Sequence, residues 1–389
     1  MNLNELLKLT IEKRASDLHV KVGVPPVLRI DGRLVQLETE KRTTQEDALN
    51  AALSIMTAGQ KARFKEKNEL DMAYAVPGMG RFRLNVFQQR GSVGMVFRQV
   101  PGKILNFEDL MMPLVLQRIA GEQRGLILVT GTTGSGKSTT LAAMIDFINT
   151  SRTANIITIE DPIEFLHRDK KSIVNQREIG SDTFSFSDAL RSSLRQDPDV
   201  ILVGEMREFE TISTALTAAE TGHLVLSTLH TLDAAETINR VITVFPPYQQ
   251  KQVRMQLASV IKGIVSQRLV TRADGNGRVP AVEVMLGTLS VREAIIDEAK
   301  TRQIPSIIEA GLSHYGMQTF DQSLLMLYKK SYITYDEALM TASNPDDFAL
   351  KVKGIQSTSD LTWEDEEKRK QAAKPAGGTE FKIDRFGDK

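Results

Sequence analysis

Apolar residues near the start of the chain recur at helical spacing. They fall every three or four residues over 3–11, and mostly polar residues fill the positions between them. This pattern predicts an amphipathic helix whose apolar face packs on a protein core and not on a membrane surface. The apolar positions are Leu3, Leu6, Leu7 and Ile11.

The rest of the first hundred residues alternates between strand and helix patterns. Residues 45–70 have a helical pattern, whereas four other stretches have strand patterns. The Asp-Gly pair inside residues 27–34 favours a two-residue turn and therefore predicts a hairpin. Together these elements predict a first domain at 1–100. Its predicted strand stretches are 16–20, 27–34, 81–88 and 93–99.

Residues 101–113 begin and end with proline, which predicts a linker to a second domain at 114–350. Beyond the linker, short apolar strands alternate with helical patterns to about residue 270. This alternation predicts an α/β fold with a mostly parallel sheet flanked by helices. Residues 280–350 predict a helical end, and we expect the polar, charged segment 351–389 to be disordered. The predicted strands are 126–130, 155–159, 200–203 and 224–228.

Composition narrows the class of protein. The chain has 389 residues, of which 41% are hydrophobic, as is ordinary for a globular protein of two or three domains. Its formal net charge is zero, so charge does not favour a nucleic-acid or membrane-surface partner. The absence of cysteine excludes disulfides and cysteine-ligated metal sites. No apolar run approaches the ~18 residues of a membrane span, and the first residues lack a signal-peptide layout, so we expect a cytoplasmic protein.

A glycine-rich segment matches the phosphate-binding loop of P-loop nucleoside triphosphatases. Residues 131–139 (GTTGSGKST) fit the pattern G-x-x-x-x-G-K-[ST] and lie between a predicted strand and a helical pattern, as this loop requires. Lys137 is expected to reach the β- and γ-phosphates, and the Ser138 hydroxyl is expected to bind Mg²⁺. The predicted nucleotide-binding residues are Gly131, Thr132, Thr133, Gly134, Ser135, Gly136, Lys137, Ser138 and Thr139.

Two predicted strands end in acidic residues. Residues 199–205 (DVILVGE) have the layout of a Walker B strand, which places Glu205 toward the metal or the γ-phosphate. A surface glutamate after a strand is the alternative. The strand at 156–159 leads into Glu160, our candidate catalytic base, with Asp161 and Glu164 next to it. A solvated acidic loop is the alternative for this second segment.

His223 and His230 bracket the predicted strand at 224–228. One interpretation places a histidine at the ligand crevice as a sensor of the γ-phosphate. The other is that both are satisfied in a core or a loop, and the residues themselves leave the choice open.

Three arginines of the first domain form another candidate group. Arg81 and Arg83 alternate with apolar residues and therefore share one face of their strand. If the turn is centred on residues 90–91, Arg83 lies directly opposite Arg98, where like charges destabilise a sheet. An anion between them would remove this conflict, so we expect this face to supply arginine fingers to a nucleotide. A solvated basic edge is the alternative.

These motifs together resemble the type II/IV secretion ATPase superfamily, and within it the type IV pilus retraction ATPases of the PilT/PilU branch. The resemblance covers roughly residues 3–350. SDLH and GRFR match the first domain of that family. The matching stretches of the second domain are GTTGSGKSTT (131–140), ITIEDPIEF (157–165), LRQDPDVILVGEMRE (194–208) and TGHLVLSTLHT (221–231).

The resemblance implies a PAS-like α+β domain at the N-terminus, a RecA-like ATPase core and a ring-shaped homohexamer. It also implies ATP and Mg²⁺ as ligands, with Ser138 and Glu205 at the metal. Glu160 becomes the expected general base, and Glu205 the Walker B acid. His230, together with His223, is expected to sense the nucleotide. The candidate arginine fingers remain Arg81, Arg83 and Arg98.

The resemblance also gives the expected direction of the motor. Assembly and type II secretion ATPases usually carry a further N-terminal domain and a four-cysteine zinc module, whereas this chain starts at the PAS-like unit and has no cysteine. We therefore expect a PilT-like motor of pilus retraction and twitching motility, acting on a PilC-like platform protein at the inner membrane. Residues 290–297 keep the arginine of the family's retraction signature but differ from it at most other positions. The alternative that the protein is a PilU-like accessory to a paralogous retraction ATPase therefore stays open.

Rival functions follow from the same core. The protein could be an assembly or secretion ATPase, or a regulatory module that binds nucleotide without hydrolysing it. The pair of acids at 160 and 205 argues against the latter. A nucleic-acid translocase is disfavoured by the zero net charge and by the lack of a basic aromatic stretch.

Overall fold

A computed structural model describes residues 1–30 and 32–353 of the protein. The prediction of disorder for the end of the chain therefore falls, from residue 354 onward, outside the described residues. Within them, no helix combines the length and the apolar character that a membrane crossing needs.

The chain divides into two compact units, each built from two segments. Unit 1 contains Met1–Asn106 and Ser138–Ser227. Unit 2 contains Phe107–Lys137 and the described residues from Thr228 onward. The predicted domain boundaries at residues 100 and 113 remain a proposal.

The first hundred residues of unit 1 form a six-stranded sheet with three helices. The strand order is β3-β2-β1-β6-β5-β4, and every neighbouring pair is antiparallel. The strands are β1 (Asp17–Val20), β2 (Val27–Ile30), β3 (Arg33–Gln36), β4 (Glu69–Val76), β5 (Gly80–Gln89) and β6 (Ser92–Gln99). The helices are α1 (Leu3–Glu12), α2 (Gln45–Ile55) and α3 (Ala58–Lys67).

Local sequence explains where these helices begin and which face they bury. Capping boxes at Thr44 and Thr57 satisfy the first backbone N–H groups of α2 and α3. Helix α1 buries Leu3, Leu6 and Leu7, as predicted, because residues at this spacing share one face. They pack into a core that also takes the inward side chains of β5 and β6.

The hairpin of β5 and β6 fixes the register of the arginines. Its turn lies at residues 90–91, where both backbone φ angles are positive. Arg83 is consequently the direct partner of Arg98, so the predicted register is confirmed. The two-residue hairpin of β2 and β3 is confirmed as well.

The second part of unit 1 forms a parallel ladder. Strands β11, β10, β8 and β9 are neighbours in that order, and β8 pairs in parallel with both β10 and β9. Their carboxyl ends therefore lie at the same edge. The elements of this segment are α5 (Lys137–Ser151), β8 (Asn155–Glu160), β9 (Ile173–Glu178), α6 (Phe186–Ser193), β10 (Val200–Val203), α7 (Phe209–Glu220) and β11 (Leu224–Leu229).

The described residues of unit 2 contain three paired strands and a set of helices. Strand β12 pairs in parallel with β7 and antiparallel with β13. The strands are β7 (Gly125–Thr130), β12 (Ile261–Thr271) and β13 (Arg278–Leu286). The helices are α4 (Val115–Ala120), α8 (Ala234–Thr243), α9 (Pro247–Val260), α10 (Leu289–Ile296), a 3-10 helix (Glu298–Gln303), α11 (Ile304–Ala310), α12 (Leu312–Tyr315), α13 (Phe320–Lys329), α14 (Tyr335–Thr341) and α15 (Pro345–Val352).

The four strands predicted for the second domain are confirmed to within a residue at each end, as β7, β8, β10 and β11. Strands β9 and β12 were not predicted. The helical end predicted from residue 280 is wrong for β13, which runs to Leu286 before α10 begins. Its run of buried residues is compatible with either a strand or a buried helix, and pairing with β12 along its whole length decides for the strand.

Candidate active site

The glycine-rich loop connects the fully buried strand β7 to α5, as its motif requires. Gly131, Gly134 and Gly136 all have positive φ angles, a conformation that side chains other than glycine rarely adopt. A Cβ atom on Gly131 would also lie 2.5 Å from the carbonyl oxygen of Gln267. Glycine at this position is therefore required by the backbone angle and by the lack of space.

Polar side chains of the loop are arranged to receive an anion. Lys137 is only 9% exposed, and its Nζ donates to the carbonyl oxygens of Gly131 at 2.8 Å and Thr132 at 2.9 Å. The Ser135 hydroxyl is buried and has no hydrogen-bond partner within the described chain. A buried polar atom of this kind costs free energy, so it indicates a ligand that supplies the partner. These features fit a phosphate group at the N-terminus of α5.

Glu160, the last residue of β8, is held in one orientation by three hydrogen bonds. Its Oε1 accepts from the Thr158 hydroxyl at 2.7 Å and from Gln176 Nε2 at 3.1 Å, and its Oε2 accepts from the Glu164 amide at 3.3 Å. Burial raises the pKa of Glu160, and these bonds oppose the rise without cancelling it. A fixed carboxylate with a raised pKa is suited to accept a proton.

Glu205 lies just beyond the end of β10, next to the end of β8. The amide of Gly204 donates to the carbonyl oxygen of Ile159 at 2.7 Å, which keeps the two strand ends together. Glu205 Oε2 pairs with Arg207 Nη2 at 2.8 Å. The two acids predicted from the sequence therefore lie at neighbouring strand ends: Glu160 is the last residue of β8, and Glu205 comes two residues after β10.

Asp161 is surrounded by other charged side chains. Burial raises the pKa of Asp161, and the nearby carboxylates of Glu205 and Glu178 raise it further, whereas Arg83 and Arg207 act in the opposite direction. The edge of the parallel ladder thus gathers several acids and two arginines.

The described part of the chain contains no cluster of three or more His, Cys, Asp or Glu side chains that could hold a metal ion alone. Mg²⁺ commonly binds through one or two protein oxygens together with phosphate oxygens and water. The Ser138 hydroxyl in the first turn of α5 and the Glu205 carboxylate are oxygen donors of this kind, and their role as metal ligands remains a prediction.

Two of the three candidate arginines bind carboxylates near the carboxyl ends of β8 and β9. Arg81 Nη2 donates to Glu178 Oε2 at 2.9 Å, and the same oxygen accepts the amide of Ile163. Arg83 Nη1 donates to Glu164 Oε1 at 2.9 Å. These bonds tie β5 to the segment that carries Glu160.

Arg98 instead binds within its own sheet. Its Nε donates to Asp17 Oδ1 at 2.8 Å, and Asp17 also faces Arg29 at 3.6 Å. Carboxylates thereby relieve the repulsion that was expected between Arg83 and Arg98. A cleft of about 450 Å³ lies over these groups. Its polar lining includes Asp17, Arg83, Arg98, Asp161 and Glu178.

The two histidines have different surroundings. His223 follows α7, and its Nδ1 lies 2.9 Å from the carbonyl oxygen of Ala218 and 3.3 Å from the Thr221 hydroxyl. His230 directly follows β11 and is exposed. The contacts of His223 are those of a residue that ends a helix, and the sensing role of both histidines remains a prediction.

Sequence reasoning missed the partners of the predicted site residues. Thr158 and Gln176 hold Glu160, Glu178 receives Arg81, and Asp17 receives Arg98. Gln176 and Glu178 lie on the unpredicted strand β9. The sequence of β9, IVNQRE, shows little alternation of apolar and polar residues, so it could not be recognised as a strand from a period of two.

Residues 1–314 match the family described as Type II/IV secretion system protein. The chain belongs to this family. A crystal structure of the pilus retraction motor PilT with bound ADP is 46% identical, with a TM-score of 0.83 over 89% of this chain and 98% of that one. The predicted α/β class, with an α+β portion at the N-terminus, is thereby confirmed.

Relatives within this family lie in the expected branch. The type IV pilus retraction ATPase PilT of Pseudomonas aeruginosa is 48% identical over 349 residues, which are 90% of this chain and 100% of that protein. The type IV pilus ATPase PilU of the same organism is 42% identical over 361 residues, covering 92% and 94%. The predicted resemblance to the pilus retraction ATPases is confirmed.

Proposed function

We propose that the protein is an ATPase motor that hydrolyses ATP to ADP and phosphate and drives type IV pilus retraction and twitching motility. The phosphate loop is the observation on which this proposal rests. It contains the nearly buried Lys137 and the buried hydroxyl of Ser135, which lacks a hydrogen-bond partner among the described residues. Its relatives PilT and PilU, both named as pilus ATPases, support the biological role.

The loop binds the phosphates of the nucleotide. Lys137 Nζ donates to phosphate oxygens in place of its two backbone carbonyl partners, and the Ser135 hydroxyl gains an acceptor. Ser138 and Glu205 would hold Mg²⁺, which would supply positive charge beside the phosphates. The backbone N–H groups at the start of α5 stabilise the same negative charge.

Glu160 accepts the proton of the attacking water. Its three hydrogen bonds fix the direction of the carboxylate, and the raised pKa favours proton uptake. Arg81 and Arg83 are the cations that could neutralise charge as the γ-phosphate leaves. Arg83 would exchange its exposed partner Glu164 for the nucleotide, so hydrolysis would alter the contact between β5 and the acidic segment.

The working form is a cytoplasmic homohexamer that meets the inner membrane through a PilC-like platform protein. Each turnover changes one interface of the ring, and the platform then removes pilins from the fibre. A PilU-like role, in which the protein assists a paralogous retraction ATPase, is the second candidate and is supported by the 42% identity to PilU.

The activity is tested by release of phosphate from Mg-ATP. Lys137→Ala and Glu205→Gln should each lower kcat by a factor on the order of 100 or more, because each removes a preorganised charge. Glu208→Gln is the matched control, since Glu208 is exposed and its side chain does not cap α7. Normal hydrolysis by well-folded Glu205→Gln protein would refute the assignment of that acid.

The biological role is tested by counting surface pili and measuring surface motility in cells without the gene. Excess pili with lost motility support a retraction motor. Bald cells would make the protein an assembly motor, and unchanged pili would favour the accessory role or secretion. Complementation with Lys137→Ala separates the need for hydrolysis from the need for the folded protein.

A further inference from the structure

A chain of buried polar groups in unit 2 begins at the base of the phosphate loop. The Thr130 hydroxyl donates to Ser266 Oγ at 3.0 Å, and the Ser266 hydroxyl donates in turn to the Glu283 carboxylate. Glu283 Oε1 also accepts the amide of Ala234 at 2.8 Å. Thr130 and Ser266 are fully buried, and Glu283 is 6% exposed.

The pairing of the strands explains why Thr130, Ser266 and Glu283 form a row of side chains. Ser266 on β12 is the direct partner of Thr130 on β7 and of Glu283 on β13. Paired residues of neighbouring strands point to the same face, so the three side chains line up across the sheet. Thr130 is the residue immediately before Gly131. One end of the row therefore adjoins the first residue of the loop.

The other end of the row holds the start of α8. Ala234 is the first residue of that helix, and Asp233 is its N-cap. Between His230 and α8, the Thr231 hydroxyl lies 2.6 Å from that of Thr237, and the Leu232 amide donates to Glu236 at 2.7 Å. The segment 230–234, named here the His230 segment, is thus fixed to α8.

Burial of the Glu283 carboxylate is unfavourable in free energy. The pKa of Glu283 is raised to about 7, chiefly by burial. The nearby Asp233 carboxylate contributes to this rise, whereas the hydrogen bonds from the Ala234 amide and the Ser266 hydroxyl and the charge of Arg268 oppose it. Arg268 itself stacks on the Phe320 ring at 3.9 Å and donates to the Thr341 carbonyl oxygen at 2.9 Å. The other buried residues of β13 are apolar, and an apolar residue at position 283 would be buried at a lower cost in free energy, which favours a functional reason for the acid.

We infer that Glu283 is a positioning residue of the ATPase: it joins the His230 segment to the strand that carries the phosphate loop, so that the two respond together to the nucleotide. The inference rests on the proposed ATPase function. Glu283 acts through the Ala234 amide on one side and through Ser266 and Thr130 on the other. The loss of the bond to Ala234, or of the bonds through Ser266 to Thr130, should therefore abolish the coupling between the phosphate loop and the His230 segment.

The direct test is hydrogen–deuterium exchange of the full-length protein with and without ADP. In the wild type, ADP should slow exchange of amides at 231–237. Glu283→Leu should abolish this effect and speed exchange at Ala234 about tenfold, the size of a typical coupling. Ser266→Ala should also abolish it, because it interrupts the row while leaving the Ala234 bond in place. Glu283→Gln should restore most of it, since an amide oxygen accepts the same hydrogen bond.

Kinetics give a second measurement. Glu283→Leu should lower kcat about tenfold and leave KM for ATP within about twofold, because the loop still binds. The control is Ser323→Ala, which removes a buried hydrogen bond to Val282 on the same strand but lies outside the row. The inference fails if Ser266→Ala keeps the ADP effect, or if Ser323→Ala loses it equally. A wild type that binds ADP with the expected protection but hydrolyses no ATP would refute the proposed function instead.

Discussion

Arg83 on β5 lies directly opposite Arg98 on β6, and each guanidinium binds a different carboxylate. The Arg83 side chain is 39% exposed and its partner Glu164 is 44% exposed, whereas Asp17, the partner of Arg98, is only 3% exposed. A pair that is exposed on both sides can exchange its partner for a ligand at little cost. The two arginines should therefore differ in function.

Arg98→Ala should lower stability more than Arg83→Ala. Removal of Arg98 leaves the buried Asp17 with Ser16 and the more distant Arg29, a loss of about 1–3 kcal/mol. Removal of Arg83 breaks an exposed pair and should cost less than about 1 kcal/mol. Urea unfolding measures both values. Equal losses would contradict the structural role of Arg98.

Arg83→Ala should instead reduce ATP turnover. If Arg83 neutralises the leaving phosphate, kcat should fall by a factor on the order of 100, as for other preorganised donors. The measurement is steady-state phosphate release by folded protein. Glu164→Gln is a useful companion, because it frees Arg83 without removing the cation. Normal turnover by Arg83→Ala would remove this residue from the candidate fingers.

Thr158→Val should move the acid limb of the pH–rate profile to higher pH. Thr158 is fully buried and donates to Glu160 at 2.7 Å, a bond that favours the charged carboxylate. Its loss raises the pKa of Glu160 further above the ordinary value, so a higher pH is needed to form the base. The kcat/KM profile of ATP hydrolysis reports this change. Thr158→Ser keeps the hydroxyl and should keep the wild-type profile; an unmoved limb in Thr158→Val would exclude Glu160 as the base.

Gly131→Ala should damage the phosphate loop far more than Gly134→Ala. Both residues have positive φ, so both substitutions carry backbone strain. Only at Gly131 does a Cβ meet other atoms, at 2.5 Å from the Gln267 carbonyl oxygen and 2.6 Å from Ser135 Oγ. ADP affinity should fall at least about tenfold for Gly131→Ala, and less than about fivefold for Gly134→Ala. Titration with a fluorescent ADP analogue gives both values, and the reverse order would contradict the geometry.

Glu283→Gln should stabilise the protein above neutral pH. The folded pKa of about 7 lies above the ordinary 4.5, so stability associated with this group is fully present below pH 4.5 and is lost as pH rises through 7. The loss amounts to about 3 kcal/mol, which a neutral amide avoids. Unfolding between pH 5 and 8 should thus show a flatter profile for the variant. Glu208→Gln, at an exposed position, should follow the wild type.

The sequence alone determined the features that depend on neighbours along the chain. The phosphate loop is recognisable because glycines, lysine and serine occupy fixed positions between a strand and a helix. The opposition of Arg83 and Arg98 follows from a short turn and from the alternation of the strands, so it was predicted correctly. Glu160 and Glu205 were proposed as site residues because each stands at or just beyond the end of an apolar strand. These are local patterns, and they can be recognised without knowledge of the fold.

Only the tertiary structure decided which side chains meet across long separations. Arg83 and Glu164 are 81 residues apart, and Gln176 reaches Glu160 from a strand whose pattern is weak. Glu283 looks in the sequence like an interruption of an apolar run, yet pairing of β13 with β12 places it beside Ser266. Side-chain partners of this kind are set by strand order and register. Those arise from the packing of the whole sheet, which no local pattern specifies.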